Sequence, residues 1–197
     1  MSLPKFFIVA ASILAAVGCQ SQDKKITAQK PETDAPQTIQ VESSAFADGQ
    51  PIPRRYATDE NVSPPLSWSN IPNDTRSVAV IVEDPDAEGF GPYVHWVIYN
   101  IPPSVKNIPE NRPHTQKLRE PFEADQGKNS AREIGYFRPD PPKGDKPHHY
   151  HFEVYALDRV IQAKEDETMT RDELAKQMDG HVLAKGQLVG TYQRASD

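Results

Sequence analysis

Two long apolar runs dominate the pattern of hydrophobic and polar positions along the chain. VAVIVED at residues 78–84 and VHWVIYNI at residues 94–101 are apolar at nearly every position and rich in β-branched or aromatic side chains. Such runs are typical of strands that are covered on both faces. HYHFEVYALD at residues 149–158 alternates more, which predicts a strand with one wetter face. GQLVGTYQR at residues 186–194 predicts a closing strand.

Strand alternation also predicts which side chains share a face. Asp84 falls on the face of the valines at positions 78, 80 and 82, and His148 falls on the face of Tyr150 and Phe152. The opposite face of this last strand carries His149, His151 and Glu153.

One helix is predicted, near the C-terminus, in TRDELAKQMDGHVL at residues 170–183. Thr170 and Glu173 have the spacing of a capping box, Leu174 and Met178 lie four positions apart, and Gly180 ends the pattern. The polar remainder of this helix is expected to face solvent.

The rest of the domain is rich in turn-forming residues. The chain has 19 prolines and 10 glycines, many of them between short apolar runs, which favours a β-rich, loop-rich domain over a helical bundle. Residues 103–147 are proline-studded and mixed in charge, without strong periodicity, and a stretch of this length is usually functional or mobile.

The N-terminal segment has the pattern of an export signal. In residues 1–19 a lysine precedes an apolar stretch that is too short to span a bilayer as a mature helix, and the segment ends at Cys19, the only cysteine. Ala-Val-Gly directly before Cys19 resembles a lipobox, which predicts a lipidated N-terminus; the alternative is an ordinary cleaved signal with an incidental cysteine. Residues 20–40 are polar and predicted to be a flexible tether, and residues 41–197 form one domain.

Charge narrows the classes of partner. The formal net charge of −6 argues against a nucleic-acid surface, since binding of the phosphate backbone needs clustered lysine and arginine. If Cys19 is acylated, no thiol remains for a disulfide, so the domain is held together by its core alone.

Candidate chemistry lies where the apolar runs end, and each candidate has a structural alternative. Asp84-Pro85-Asp86 is also typical turn material, and His95 beside a tryptophan is also typical of a hydrogen-bonded core histidine. The set His149, His151 and Glu153 has the composition of a metal site, but residues two apart on a strand need a further ligand, and a polar solvent face explains them as well. No metal or cofactor is therefore predicted.

Taken together, the local patterns match one family. The chain carries, in this order, NVSPPLSW (61–68), DPDA (84–87), HWVIYNIP (95–102), PPKGDKPHHYHFEVYALD (141–158) and GQLVGTY (186–192). In this combination it resembles the phosphatidylethanolamine-binding protein (PEBP) family, in particular the bacterial branch called Raf kinase inhibitor-like proteins. The resemblance spans about residues 41–194 and implies a mainly β fold of two packed antiparallel sheets with few short helices.

The resemblance also implies a small pocket for phosphate or phosphoryl head groups. Carried over by position, its ligand-binding residues are Asp84, His95, His148 and Tyr150. The supporting residues are Asp86 in the turn, Tyr93 at the mouth, and Pro141, Pro142 and Gly144 in the neighbouring loop. The chain departs from the family pattern at Glu88, Arg138 and His149, which puts the ligand preference more in doubt than the pocket.

The chemistry of such a pocket has an independent rationale. Two imidazoles and a phenol supply N–H and O–H donors for an oxyanion. Asp84 would repel the ligand, but it has a role if it orients a histidine or favours the protonated imidazole. Phosphate affinity is therefore expected to rise as the pH falls through the histidine range, around 6.5.

These observations favour a non-enzymatic binding protein, exported as a lipoprotein and held to the membrane by its lipid anchor only. It would face the periplasm or the cell surface, most simply at an outer membrane, and bind a phosphorylated small molecule or head group or, through the pocket rim, a protein. The alternatives are a protease inhibitor of the PEBP type and a hydrolase using an Asp/His acid-base pair. The sequence has no Gly-x-Ser-x-Gly elbow and no phosphate-binding P-loop, so the hydrolase lacks an evident nucleophile.

Overall fold

The domain is built from two antiparallel sheets. The computed structural model describes residues 34–89, 91–163 and 168–196. The six-stranded sheet has the order β6-β7-β4-β3-β8-β9 and the three-stranded sheet the order β1-β2-β5. The strands are β1 (Gln40–Glu42), β2 (Leu66–Ser69), β3 (Ser77–Asp84), β4 (Tyr93–Ile101), β5 (Asn107–Ile108), β6 (Lys117–Leu118), β7 (Ala124–Gln126), β8 (His148–Leu157) and β9 (Val182–Tyr192). A 3-10 turn spans Arg54–Tyr56, and the helix α1 spans Arg171–Met178.

The larger core lies on the face of the six-stranded sheet that carries Val80, Trp96 and Phe152. These side chains pack with Leu66 and Trp68 of β2. Every residue of β3 is buried, which confirms the prediction that this run is covered on both faces.

The other face of the large sheet is covered by α1. Leu174 and Met178 of the helix pack with Ile81 of β3 and Tyr99 of β4. The predicted capping box is present, since Thr170 and Glu173 exchange side-chain and backbone hydrogen bonds. The helix departs from the expected pattern at its first residue, because Arg171 is only 3% exposed and lies against the sheet rather than in solvent.

A β-bulge in β4 turns His95 toward the larger core. In the β3–β4 pairing Val82 is opposite Trp96 and Glu83 is opposite Val94, so His95 is the extra residue between the two pairs. A regular strand would place neighbouring side chains on opposite faces. The bulge instead aims His95 to the same side as Asp84 and Trp96. The position of His95 beside Tyr150, with ring centroids 5.1 Å apart, agrees with this orientation.

Three features differ from the sequence-based expectations. Residues 103–147 contain the short strands β5, β6 and β7, which their weak periodicity did not predict. The wetter face of β8 is restricted to its first half, because Glu153 is only 4% exposed whereas His149 is exposed. The packed domain also begins before residue 41, because Ile39 is buried in the larger core and Gln37 forms a bridge with Lys185.

Within the described residues, no helix has the length and apolar character needed to cross a membrane. The predicted signal segment 1–19, Cys19 and most of the predicted tether lie outside these residues.

Candidate functional site

A buried pair formed by Asp84 and His148 lies at the centre of the candidate site. These residues end β3 and begin β8, two paired antiparallel strands, so both are at the same end of the sheet. His148 donates from Nδ1 to Oδ2 of Asp84 over 2.7 Å, and the two side chains are 3% and 4% exposed. Asp84 also accepts the backbone N–H of Asp86 through Oδ1, at 2.8 Å. The Asp-Pro-Asp segment therefore forms a turn, which was the structural alternative for these residues, and it also contributes to the candidate site.

His148 is placed to carry a positive charge. Its Nε2 lies 3.3 Å from Oδ2 of Asp145, whose side chain is 37% exposed. Burial opposes protonation of the ring, but the hydrogen bonds and charges of Asp84 and Asp145 outweigh it and raise the pKa of His148 above its ordinary value. The two carboxylates therefore favour the protonated form of the His148 ring.

The surroundings of His95 disfavour the protonated ring, in contrast to those of His148. Its Nδ1 donates to the carbonyl oxygen of Phe137 over 2.7 Å, which leaves Nε2 as the nitrogen free of this bond. Burial lowers the pKa of His95 to about 4, and His148 adds a smaller effect in the same direction. At pH 7 the ring is therefore neutral and Nε2 is an acceptor. Toward a ligand at Nε2, neutral His95 would therefore be an acceptor rather than the N–H donor expected from the sequence.

Tyr150 completes the set of four. It is 1% exposed, its ring meets that of His95 edge-on, and the His148 ring stacks at a centroid distance of 6.5 Å. Burial and the neighbouring charge of Asp84 raise the pKa of Tyr150, so the phenol remains protonated. Tyr93, half-buried, lies on the other side of His95, with ring centroids 5.0 Å apart.

Asp86 ties the turn after β3 to the start of β8. Its Oδ2 accepts from the backbone N–H and from Nδ1 of His149, at 2.9 and 2.7 Å, and its Oδ1 contacts Nζ of Lys146 at 3.0 Å. The hydrogen bond from His149, helped by Lys146, holds the pKa of Asp86 far below its usual range. This carboxylate is therefore charged and bound to His149 and Lys146.

The loop before β8 borders the site. Gly144 has φ +78°, in the left-handed region that favours glycine, and donates its N–H to the carbonyl of Arg194 over 3.1 Å. Pro141 is buried, whereas Pro142 is exposed and accepts the N–H of Asp145 through its carbonyl. This short turn places the Asp145 carboxylate over His148.

Arg138, whose role the sequence left open, lies in a charged network beside the site. Its guanidinium stands 5.9 Å from the centre of the Phe137 ring, and Nη2 is 3.8 Å from Asp140. Asp140 also accepts from Arg194 over 2.7 Å. The backbone N–H of Arg138 donates to Oδ1 of Asn61. This bond fixes the chain next to Phe137, whose carbonyl oxygen accepts from His95.

The three polar residues considered as a metal set are engaged with separate partners. His149 contacts Asp86, Nδ1 of His151 lies 3.4 Å from Gln187, and Glu153 accepts the hydroxyl of Tyr155 over 2.7 Å. No group of three or more histidine, cysteine or acidic residues within 34–89, 91–163 and 168–196 is placed to hold a metal ion.

Sequence reasoning missed two contributors to the site. Asp145 was within the quoted PPKGDKP segment, and an acidic residue three positions before a strand histidine was the signal that could have indicated it. Phe137 contributes a backbone carbonyl, which leaves no side-chain signal in the sequence.

Comparisons with known proteins agree with this architecture. The sequence model of the phosphatidylethanolamine-binding protein family matches residues 42–193, and the chain belongs to this family. A UPF0098 protein of Chlamydia muridarum is 42% identical over 161 residues, which cover 79% of this chain and 99% of the relative. A UPF0098 protein of Pyrococcus abyssi is 42% identical over 153 residues, covering 77% of this chain and 84% of the relative.

Two solved structures share the fold. The crystal structure of a PEBP homologue from Chlamydia trachomatis has a TM-score of 0.70 and 40% identity, and covers 82% of this chain and 99% of its own. Escherichia coli YbcL, described as a member of the mammalian PEBP family, has a TM-score of 0.71 and 31% identity, with 79% and 98% covered. The predicted fold, mainly β with two antiparallel sheets and a helix near the C-terminus, is confirmed.

Proposed function

We propose that this chain is a non-enzymatic binding protein whose site at Asp84, His95, His148 and Tyr150 takes phosphate or a phosphoryl head group. One observation carries the proposal. A histidine whose pKa is raised by two carboxylates lies next to a neutral histidine and a protonated phenol, all three rings being buried. The group combines a cationic donor with neutral donors and acceptors at the end of one sheet.

The donor and acceptor pattern suits a phosphate monoester. The protonated His148 would donate from Nε2 to an oxyanion, and the Tyr150 hydroxyl would donate to a second phosphate oxygen. Neutral His95 offers an acceptor at Nε2 for a phosphate oxygen that still carries its proton, and phosphate monoesters lose that second proton only near pH 6. An oxyanion without such a proton would leave this acceptor unused.

Asp84 supports anion binding through its effect on His148. Its two carboxylate oxygens are occupied by donors from Asp86 and His148, so its charge is partly compensated inside the protein. The repulsion it exerts on an anion is offset because it favours the protonated form of the histidine that would bind the same anion.

The test is an NMR titration of the histidine ring signals with phosphate and phosphoethanolamine, using the full chain at pH 6.5 to 8. We expect the signals of His148 and His95 to shift together in a saturable manner. The Tyr150→Phe variant should weaken binding about tenfold, as expected for the loss of one hydrogen bond to a charged group.

The matched control is His181→Asn. His181 also lies 2.8 Å from a carboxylate, that of Asp158, but it follows α1 and does not contact the site residues. This variant should bind phosphate as the unchanged chain does. Absence of saturable shifts at His148 and His95 with either ligand would refute the proposed function.

A hydrolase remains the second candidate because a carboxylate-histidine pair 2.7 Å apart is also the arrangement of an acid-base catalyst. Incubation of the chain with generic phosphoesters and carboxylic esters discriminates the two. Hydrolysis that is abolished by His148→Ala would establish the enzyme and overturn the binding-protein proposal.

The export and anchoring of the protein are proposed on the sequence pattern at residues 1–19. Acylation of Cys19 would hold the domain at a membrane surface, facing the periplasm or the outside of the cell, where a protease or another protein is an accessible partner. Mass spectrometry of the N-terminal peptide tests this proposal. An unmodified Cys19 in the mature protein would exclude the lipid anchor.

A further inference from the structure

The outward side of His148 is already occupied by a carboxylate of the same chain. Nδ1 of the ring is bound to buried Asp84, so Nε2 is the nitrogen left for an external ligand. Oδ2 of Asp145 lies 3.3 Å from this Nε2. Because the Asp145 side chain is 37% exposed and His148 only 3%, Asp145 lies between the imidazole and solvent.

The contact can open without unfolding the turn. The backbone of the turn is held by the hydrogen bond from Asp145 N–H to the Pro142 carbonyl, and by Nε2 of Gln193, which donates to the Asp145 carbonyl over 2.7 Å. The side chain itself has one further bond, from Lys146 N–H to Oδ1 at 2.7 Å. Rotation of the carboxylate therefore breaks one contact to His148 while the turn remains in place.

We propose, as an extension that rests on the anion-binding function above, that Asp145 is an internal competitor that sets the affinity a ligand needs in order to bind the site. Its carboxylate competes with external ligands for Nε2 of His148. The site consequently rejects simple carboxylates and accepts phosphoryl oxyanions, which can reach Tyr150 and His95 as well.

Acetate and a phosphate monoester would gain different contacts in the site. Acetate at Nε2 would replace one carboxylate by another and gain no new type of bond, while it would still lose translational and rotational freedom on binding. Asp145 loses much less, because its tether keeps it at a high effective concentration. A phosphate monoester has more oxygens, and in its monoprotonated form it also has a donor for Nε2 of His95. These extra contacts are what can displace Asp145.

The experiment measures Kd for phosphate and for acetate by NMR titration of the full chain and of two variants, Asp145→Asn and Asp145→Ala. Both variants remove the competing charge, and the alanine variant also removes the hydrogen-bonding group. The matched control is Asp158→Asn, which removes a carboxylate of similar exposure (43%) from the other Asp-His pair, at His181.

Asp145 also helps to raise the pKa of His148, so the comparison is made at about pH 5.5, below the ordinary histidine pKa of about 6.5, where Asp84 still favours the protonated ring. Under these conditions we expect both Asp145 variants to bind phosphate about tenfold more tightly, as for release of one charge-assisted hydrogen bond. Acetate should gain by a similar factor, because both anions displace the same carboxylate from Nε2 of His148. Asp158→Asn should leave both Kd values unchanged.

Two outcomes would overturn the inference, and they are distinguishable. If the unchanged chain binds phosphate and the Asp145 variants bind both anions no more tightly, Asp145 does not compete and the proposed function stands. If neither the unchanged chain nor any variant binds either anion, the proposed function fails and the inference fails with it.

Discussion

Asp84 and His148, which are 64 residues apart in the chain, form a 2.7 Å buried hydrogen bond that determines the charge of the candidate site. The pairing of β3 with β8 brings them together, and the end of each apolar run places them at one edge of the core. Asp84 therefore favours the protonated form of His148.

The first prediction concerns this pair. Asp84→Asn removes the negative charge beside Nδ1 and should lower the pKa of His148. The pKa is measured from the ring proton shifts of His148 across a pH series. Asp158→Asn, which alters the His181 pair, should leave the His148 titration in place; an unshifted His148 in Asp84→Asn would show that Asp84 does not control its charge.

The second prediction concerns the pH dependence of stability through His95. Its pKa is about 4 in the folded protein and about 6.5 when unfolded, so the unfolded chain binds a proton that the folded protein excludes between these values. The contribution of His95 to stability is therefore fully present above pH 6.5 and is lost as the pH falls toward 4. The loss is about 3 kcal/mol at the lower end.

His95→Asn tests this, since the asparagine amide can still donate to the Phe137 carbonyl. Urea unfolding between pH 7 and 4 should give a smaller loss of unfolding free energy in this variant than in the unchanged chain. His181→Asn, at a partly exposed position, should retain the original profile. Parallel pH profiles for His95→Asn and the unchanged chain would contradict the assignment of the effect to His95.

The third prediction concerns the buried ion pair between Arg171 and Glu83. Nη2 of Arg171 lies 3.1 Å from Oε2 of Glu83, with both side chains at most 6% exposed, and the pair joins the first turn of α1 to β3. Arg171→Met leaves a buried carboxylate without this partner and should lower the unfolding free energy by about 3 to 5 kcal/mol. Adding Glu83→Leu should recover part of that loss.

Asp172→Asn is the control, because this residue contacts the other side of the Arg171 guanidinium but is 58% exposed. Exposed ion pairs contribute about 1 kcal/mol or less, so its effect should be small. Additive losses in the Arg171→Met/Glu83→Leu double variant would indicate that the two side chains do not interact energetically.

The fourth prediction concerns Gly186, where β9 lies against the segment before β1. A Cβ at this position would overlap the carbonyl oxygen of Ile39. Gly186→Ala should therefore push this segment away from β9 and destabilise the domain by about 1 to 3 kcal/mol, measured by urea unfolding. Gln187→Ala, at the exposed neighbouring position, should have little effect; equal stability of Gly186→Ala and the unchanged chain would mean that Ile39 is not held there.

The sequence predicts the elements whose local pattern is strong. It does not predict geometry that depends on distant parts of the chain. The all-apolar run of β3 and the capping box at Thr170 are local signals, and both predicted their elements. The face of His95 depends on a bulge, which alternation alone does not reveal. The protonation of the two histidines could not be assigned either, since it depends on a carbonyl from Phe137 and a turn carboxylate from Asp145.

The bridge between Gln37 and Lys185 holds the N-terminal part of the domain far from the candidate site. Lys185 is paired with Tyr155, while the candidate site begins at His148, about 20 Å away along β8. The incoming chain thus joins the domain well away from the site. A surface or protein attached on the N-terminal side of Gln37 would leave the opposite end of the sheet open to ligands arriving from solution.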